Sequence, residues 1–484
     1  MLKELVGTRK MVSRVGITPV GSAKYRVNRL RFHLLAYAVA RKAQLAGYEA
    51  EFIIRCDDSN VSNTNRYFLE GYLEVLFSLG VSPNLTPRDK DTSGFSLFQS
   101  ERGELYGEFV TRLMDAQLAF RDVSGAIFFD SEEFSRRFQH IMIDGKIAVS
   151  DVAMGNFTVD IKTPLIDKKG QMGMRAFPLM RSNGEYLFNL CSPVDDALLG
   201  VTHVVRDRDK LSLLAQQEMV RISLGFPPFK YVHAPLLITK EGKRFVSDEH
   251  YGDATYQDFV ARGILPQALV SYLLSGAVGP SERYYSSIDE FAIQADFSQV
   301  HQSNTVFSAT VLEQHNKKSL ELSSREVYEM ALRRFLVAGR YGVPCISDVN
   351  PYLLEMVVRM RRGFLESSRI IESLLFPQYD VPERKHAQVL NLVLALFAGV
   401  GVNGSSDSYL ELITLSGVEY AKSLGISKKE YLQAIRYILT GGHHGCDLHE
   451  IVWYLEKSGA IESRLRMAEA MLMQECLLIN SGEG

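Results

Sequence analysis

Long apolar runs are missing from this chain: no stretch of about 18 uninterrupted apolar residues occurs among its 484, which argues against a helix built to span a bilayer. The start, Met1 to Lys10, lacks the charged, apolar and small-residue regions of a secretory signal, so no membrane partner and a cytoplasmic location are expected. Cysteine is scarce. The five (Cys56, Cys191, Cys345, Cys446 and Cys476) lie far apart, without the paired spacing of a zinc site or a disulfide framework. They read as reduced thiols. His443, His444, Cys446 and His449 match no common structural zinc spacing, and Gly441-Gly442 points to a turn between helices there; no metal site is expected. An excess of one charge is also lacking. With a net charge of -3, any nucleic-acid contact must come from a local basic face and not from the field of the whole molecule. Internal repeats and low-complexity tracts are absent too.

What is present is ordinary globular material, 46% hydrophobic and 23% charged, enough for a large core divided among two to four domains. Met11 to Ile17 reads as a buried strand, Thr18 to Ser22 as a turn, Arg29 to Leu45 as a helix, and Glu51 to Ile54, ending on Arg55, as a second strand. This order is a βαβ unit, which implies a parallel sheet with its ligand crevice at the strand ends. Asn65 to Leu79 and Gly103 to Leu118 read as helices. Ala126 to Leu165 alternates like strands and hairpins, with Asp144-Gly145 as a turn. Tyr186 to Arg206 has strand-like apolar character, and Leu211 to Leu224 is helical, ended by Gly225 and Pro227-Pro228. From Ser308 onward helical spacing dominates, over Arg325 to Ala338, Pro351 to Phe364, Lys385 to Phe397, Ser406 to Leu424 and Lys428 to Leu439. Asp195 and Asp196, adjacent at an expected strand end, point in different directions and read as loop and helix-start carboxylates rather than a metal pair.

Four segments stand out in order: Ser13-Arg14 with Thr18-Pro19-Val20-Gly21, Arg55-Cys56-Asp57-Asp58, Gln99-Ser100-Glu101-Arg102 with Leu105-Tyr106, and Val194-Asp195-Asp196 through Gly200-Val201-Thr202-His203-Val204-Val205-Arg206. Together they resemble glutamyl-tRNA synthetases of the bacterial type. Gly225-Phe226-Pro227-Pro228, His233-Ala234-Pro235-Leu236-Leu237 and Gly263 to Leu269 continue the likeness, as do Leu439-Thr440-Gly441, His444 to Leu448 and Glu462-Ser463-Arg464-Leu465 near the end. The resemblance covers almost the whole chain. It implies a multidomain α/β plus all-α protein: a class I synthetase Rossmann-like catalytic domain (1–121 and 176–238) with an inserted connective domain (122–175), an ATP-loop-like and stem-contact segment (239–305), and a helical anticodon-binding-like domain (306–484). A helical C-terminal half separates this reading from glutaminyl enzymes and eukaryotic-type glutamyl enzymes, whose anticodon domains are similar to β-barrels.

The resemblance implies glutamate or an analogue and a tRNA of the glutamate type as partners, ATP and Mg²⁺ as cofactors if the chain is active, and a monomer. Catalysis of adenylate formation is mostly positioning and stabilisation of charge on phosphate oxygens. The family uses a His-x-Gly-His motif and a Lys-Met-Ser-Lys-Ser-like loop for it. By register, the first motif falls on Lys24-Tyr25-Arg26-Val27, so both histidines and the glycine are replaced, and a side chain as long as Arg26 takes the volume the adenine needs. Lys24, Arg26, Asn28 and Arg29 read either as a different anion site at a helix start or as a solvated basic turn. The second motif falls between Leu237 and Asp253, where Lys243, Arg244 and Ser247 are followed by Asp248 and Glu249, which repel a triphosphate. Lys24, Arg26, Lys243 and Ser247 are the candidate catalytic residues.

The amino-acid pocket keeps more of the pattern. Arg14 and Arg206 match the arginines that face the substrate glutamate, and planar guanidinium groups suit a carboxylate; the other reading is a structural salt bridge with Asp57, Asp58 or Asp195. Thr18, Asp57, Phe188 and Ser192 complete the expected pocket. Asp57 stands where the family has a glutamate, Phe188 where it has a tyrosine, and Ser192 where it has an asparagine. For tRNA the candidate surface is Arg333, Arg334, Arg340, Arg359, Arg361 and Arg362, with phosphates and unstacked bases as targets; the alternative is a solvated face pairing with Glu313 or Glu355. Three functions follow: a divergent ligase, a catalytically impaired paralogue that binds tRNA or protein, or an enzyme of a Glu-tRNA-dependent side path.

Overall fold

The computed structural model describes residues 10–19, 25–59, 65–89, 95–161, 176–247, 252–337, 349–360, 362, 364–375, 377, 379, 389–396, 415–442 and 445–481. Two units emerge, Met1–Val260 with Ile264–Ser319, and Ala261–Gly263 with Leu320–Gly484.

The first unit runs β1 (Met11–Ile17), α1 (Val27–Leu45), β2 (Ala50–Cys56), α2 (Arg66–Ser78), α3 (Gly103–Asp115), β3 (Ala119–Arg121), β4 (Ile127–Asp130), α4 (Ser131–Arg137), β5 (Lys146–Asp151), β6 (Gly155–Asp160), β7 (Ala176–Met180), α5 (Phe188–Leu198), β8 (His203–Asp207), α6 (Leu214–Ser223) and β9 (Lys230–Ala234). It continues through β10 (Leu237–Ile238), α7 (Tyr256–Ala261), α8 (Pro266–Ser275), α9 (Ile288–Gln294), β11 (Thr305–Val306) and α10 (Ala309–Leu322). Six strands form one sheet in the order β2-β1-β8-β9-β5-β6. Its first five strands are parallel and β6 is antiparallel to β5. The inner strands β1 and β8 are almost wholly buried, as expected for strands covered on both faces.

Helix α1 is the central prop. Leu30, Leu34, Leu35, Ala38 and Val39 are fully buried, and the Lys42 ammonium donates to the carbonyls of Ala292, Ile293 and Ala295 at 2.8–3.0 Å. It thereby satisfies the orphan acceptors at the end of α9. The βαβ reading of residues 11–56 holds, with β2 longer by two residues at its C-terminal end and one at its start.

Two segments depart from expectation. Tyr186 to Arg206 is not strand throughout: Phe188–Leu198 is helix, and only His203–Asp207 is strand. Leu190, Cys191 and Val194 recur at helical spacing and are fully buried, and the helix runs on through Pro193 despite its missing amide donor. Within 122–175, strand pairing cuts across the segment. β5 joins the main sheet through Ser150 and Asp151 against Lys230 and Tyr231, whereas β4 pairs with β3 and β7 in a separate three-stranded sheet. Asp144 and Gly145 make the expected turn with positive φ of 47° and 71°, closed by Ile143 and Lys146.

The second unit is helical: α11 (Arg325–Val337), α12 (Pro351–Met360), α13 (Phe364–Leu375), α14 (Leu415–Ser423), α15 (Lys428–Thr440), α16 (Leu448–Lys457) and α17 (Ile461–Ser481). Ser427 and Glu430 form a capping box at the start of α15, and Gly441, at φ 78°, ends it. Leu332, Leu353, Val357, Ile371, Ile435, Ile438, Ile451 and Leu455 are buried in its core. Among the described residues no helix is long and apolar enough to cross a membrane, and no group of three His, Cys, Asp or Glu could hold a metal ion. His443 and His444 lie outside the described residues.

Candidate functional site

The C-terminal ends of β1, β2 and β8 open onto a cavity of about 510 Å³ in the first unit, lined by Arg14, Thr18, Asp57, Phe188, Arg206 and Asp207 among others. This is the crevice that a parallel sheet predicts. Arg29, Phe32 and His33 line it from α1, and Phe68 and Tyr72 from α2.

Beneath it lies a buried ionic network. Arg14, on β1, makes a two-pronged contact with Asp196, its Nε at 2.6 Å from Oδ1 and its Nη2 on Oδ2, and also reaches Ser192 Oγ at 3.1 Å. Arg55, fully buried at the end of β2, donates from Nε to Asp57 at 2.6 Å and from Nη1 to Asp196 at 2.8 Å. Asp195 accepts from Gln99 at 2.7 Å, Arg102 at 2.5 Å and Tyr106 at 2.8 Å. Asp195 and Asp196 are therefore not loop or helix-start carboxylates. They sit late in α5, wholly buried, each spoken for by cations. Burial alone would raise the Asp196 carboxyl, but Arg14 and Arg55 outweigh it and hold it low, whereas burial wins at Asp195 and pushes it to about 6. Sequence reasoning missed Arg55 and Asp196 as members of the site; a lone basic residue at the end of an apolar strand was the available signal.

Arg14 thus fills the structural-pair reading, with Asp196 as partner, while still bordering the cavity. Arg206 is different. Its Nε donates to His233 Nε2 at 3.2 Å and its Nη1 to Gln217 at 2.6 Å, and its guanidinium carbon lies 5.0 Å from the centre of the Tyr231 ring. Its Nη2 is buried without a hydrogen-bond partner. Only 4% of the residue is exposed, and burial lowers its pKa. A buried, unsatisfied, charged donor at a cavity wall is costly until an acceptor arrives. The arrangement suits one carboxylate.

Asp57 packs on Gly16, where an added Cβ would lie 2.0 Å from its Oδ2. Gly16→Ala is expected to push Asp57 off Arg55 and to lower unfolding free energy by about 1–3 kcal/mol, read by urea denaturation. Thr18 and Phe188 line the cavity, and Ser192 lies one layer below, on Arg14 and Arg55.

The expected ATP residues are placed otherwise. Lys24 lies outside the described residues. Arg26 precedes α1 in extended backbone and bridges to Thr255, while the Val27 amide donates to the Ala254 carbonyl at 3.0 Å. Leu237 to Phe245 form a tight hairpin, closed by Thr239 N to Lys243 O at 2.7 Å with Gly242 at φ 77°. Phe245 anchors it, stacked on Phe307 at 4.2 Å. Lys243 and Ser247 are exposed and do not line the cavity. Arg244 does, reaching Asp209 at 2.8 Å and Asp207 at 3.3 Å. Asp248 and Glu249 lie outside the described residues.

Burial pushes the Asp207 carboxyl to about 7 in spite of Arg244. Between the ordinary value of 3.8 and about 7 the folded chain holds a proton there that the unfolded chain has lost, so this group's contribution to stability falls as pH rises through that window. Asp207→Asn is therefore expected to stabilise the protein at pH 8 by roughly 1–4 kcal/mol and to change little at pH 4, as read by unfolding midpoints at both values.

In the helical unit, Arg333 is exposed and paired with Glu329 at 2.7 Å. Arg359 lies 4.0 Å from the centre of the Trp453 ring and pairs with Glu450 at 2.5 Å, with Tyr352 edge-on to the same ring. Arg362 is exposed. Glu355 pairs with Arg325 instead. The side chain of Arg334, and the whole of Arg340 and Arg361, lie outside the described residues.

Residues 167–321 match the family model for tRNA synthetases class I (E and Q), catalytic domain. The chain is similar to Glutamate--tRNA ligase 1 of Pseudothermotoga lettingae, 23% identical over 470 residues that cover 91% of this chain and 97% of that one. It is also similar to Glutamate--tRNA ligase of Methylacidiphilum infernorum, 28% identical over 303 residues covering 62% of each. Among solved structures it resembles a glutamate tRNA ligase from Elizabethkingia meningosepticum in complex with its amino acid, with a TM-score of 0.73 at 18% identity, over 96% of this chain and 100% of that one.

Proposed function

Because this chain is a divergent glutamyl-tRNA synthetase-like protein, we propose that it holds glutamate or a close analogue in the cavity beside Arg206 and binds a tRNA of the glutamate type through its helical unit, without ordinary ATP-dependent aminoacylation. The observation that carries the first part is the buried, unpartnered Nη2 of Arg206 at the cavity wall. A carboxylate there satisfies a charged donor that is otherwise stranded.

The residues present do not fit ATP in the family's usual pose. By register with the family, Arg26 takes the position where the adenine needs open backbone. The first amide of α1, a natural phosphate ligand, is committed to Ala254, and Arg244 is committed to Asp207 and Asp209. The tRNA part rests on Arg359 with Trp453 and Tyr352, where a guanidinium and two rings suit phosphate and unstacked bases.

A second reading, a divergent ligase using ATP and Mg²⁺, is favoured by one observation: Arg29 and Lys210 border the cavity and are suited to phosphate. Calorimetric titration with L-glutamate and with ATP, together with glutamate-dependent exchange of pyrophosphate into ATP, decides between them. Glutamate binding without ATP binding or exchange is the expected result; exchange at an ordinary rate replaces it with the ligase. Hydrogen exchange with added tRNA should protect α11 near Arg333 and α12 near Arg359, and protection of neither overturns the RNA part.

A further inference from the structure

Arg206 is held from behind by a chain of buried groups that reaches across the sheet to the β5–β6 hairpin. Asp151, the last residue of β5, accepts the Ala153 and Met154 amides on Oδ1 at 2.8 and 2.9 Å, which locks its carboxylate in the hairpin turn. Its Oδ2 lies 2.7 Å from His233 Nδ1, and both side chains are fully buried. His233 Nε2 in turn faces Arg206 Nε at 3.2 Å.

The two contacts fix the proton on the ring. A carboxylate accepts, so Nδ1 must carry the hydrogen; an arginine Nε–H only donates, so Nε2 must offer its lone pair. The opposite tautomer sets two donors against each other at Nε2 and two acceptors at Nδ1. A doubly protonated ring sets a cation against a buried guanidinium. We propose that His233, held as its Nδ1–H tautomer by Asp151, is a positioning residue that accepts from Arg206 Nε and so fixes which edge of the guanidinium faces the ligand. Burial favours the neutral ring and outweighs the opposing Asp151 hydrogen bond, with the Arg206 charge adding to burial. With Nε taken by His233 and Nη1 by Gln217, the guanidinium plane has no freedom left. Nη2 is the nitrogen left without a partner, and in this proposal it is preorganised before the carboxylate arrives.

The same chain of contacts explains why β5 and β6 belong to the main sheet. The parallel pairing of Ser150 and Asp151 with Lys230 and Tyr231 places Asp151 beside His233. The hairpin is thereby tied to ligand recognition although it lies at the sheet edge.

This inference rests on the proposed glutamate site, and its test separates the two. In full-length protein labelled with ¹⁵N-histidine, the His233 ring, identified by its loss in His233→Gln, should show a protonated Nδ1 and a bare Nε2. Asp151→Asn should abolish that preference. In calorimetry with L-glutamate, His233→Ala should weaken binding by about 10-fold, and His233→Gln, which keeps an acceptor for Arg206, should recover most of the loss. A protonated Nε2 in the unaltered protein overturns the inference, as does a His233→Ala chain that binds glutamate with unchanged affinity. Should the unaltered protein show the Nδ1–H ring but take up no glutamate, the relay stands and it is the assignment of glutamate to the cavity that falls.

Discussion

Replacing Arg206 by lysine should lower affinity for L-glutamate by roughly 100-fold, the scale expected when a buried charged hydrogen-bond partner is lost. The charge survives this change but the fork does not. Arginine donates to His233 and Gln217 from two nitrogens and keeps a third for the proposed carboxylate, whereas an ammonium concentrates its donors at one point and cannot hold the same plane. Titration calorimetry reads the affinity, and urea denaturation run alongside shows that the fold is retained. An affinity within about threefold of the unaltered chain, well inside the expected loss, would mean that Arg206 does not face the ligand. By contrast, Arg14→Lys is expected to act mainly on stability, because Arg14 already commits Nε and Nη2 to Asp196.

Asp196→Ala is expected to be the most damaging single change to the fold, lowering unfolding free energy by about 3–5 kcal/mol. Asp196 is shared: Arg14 contacts both its oxygens and Arg55 donates to one of them, at 2.8 Å, with all three side chains buried. Removing the carboxylate takes the ion-pair partner from Arg14 and leaves the buried Arg55 with Asp57 and Asp195 alone. The loss should shrink as pH falls, since Asp196, held below the ordinary carboxylate range by the two arginines, loses its contribution once it is protonated in the unaltered chain too. Equilibrium unfolding at pH 7 and at acid pH measures both effects; equal destabilisation at the two would contradict the ionic account.

The sheet and its crevice were legible in the chain because their signals are local. An apolar run, a Pro and Gly turn and a helical stripe lie in sequence between Met11 and Leu45, and parallel topology follows from their order. The helical unit was legible for the same reason, since capping signals such as Ser427 with Glu430 lie within one turn. The ionic floor was not. Asp196 and Arg14 are 182 positions apart, and no local pattern distinguishes an aspartate that neutralises two arginines from one at a helix end. The second loop shows a subtler limit. Lys243 is a candidate catalytic residue by sequence, yet it is exposed and the cavity takes Arg244, which pairs across the hairpin with Ile238. His233 and Asp151 escaped notice because each reads as an ordinary strand residue until β5 and β9 are known to be neighbours.

Strand β1 lies between β2, which follows it closely, and β8, whose Thr202 neighbour receives the Val12 amide from 190 positions away. A nascent chain leaving the ribosome can therefore complete β1, α1 and β2 early, but the central ladder stays one-sided until β8 emerges. Through that interval Arg14 lacks Asp196, and Arg55 has Asp57 but not Asp196. The first unit cannot close vectorially from its N-terminus, and translation past Asp207 marks the earliest moment at which its core becomes a low-energy place for those two arginines.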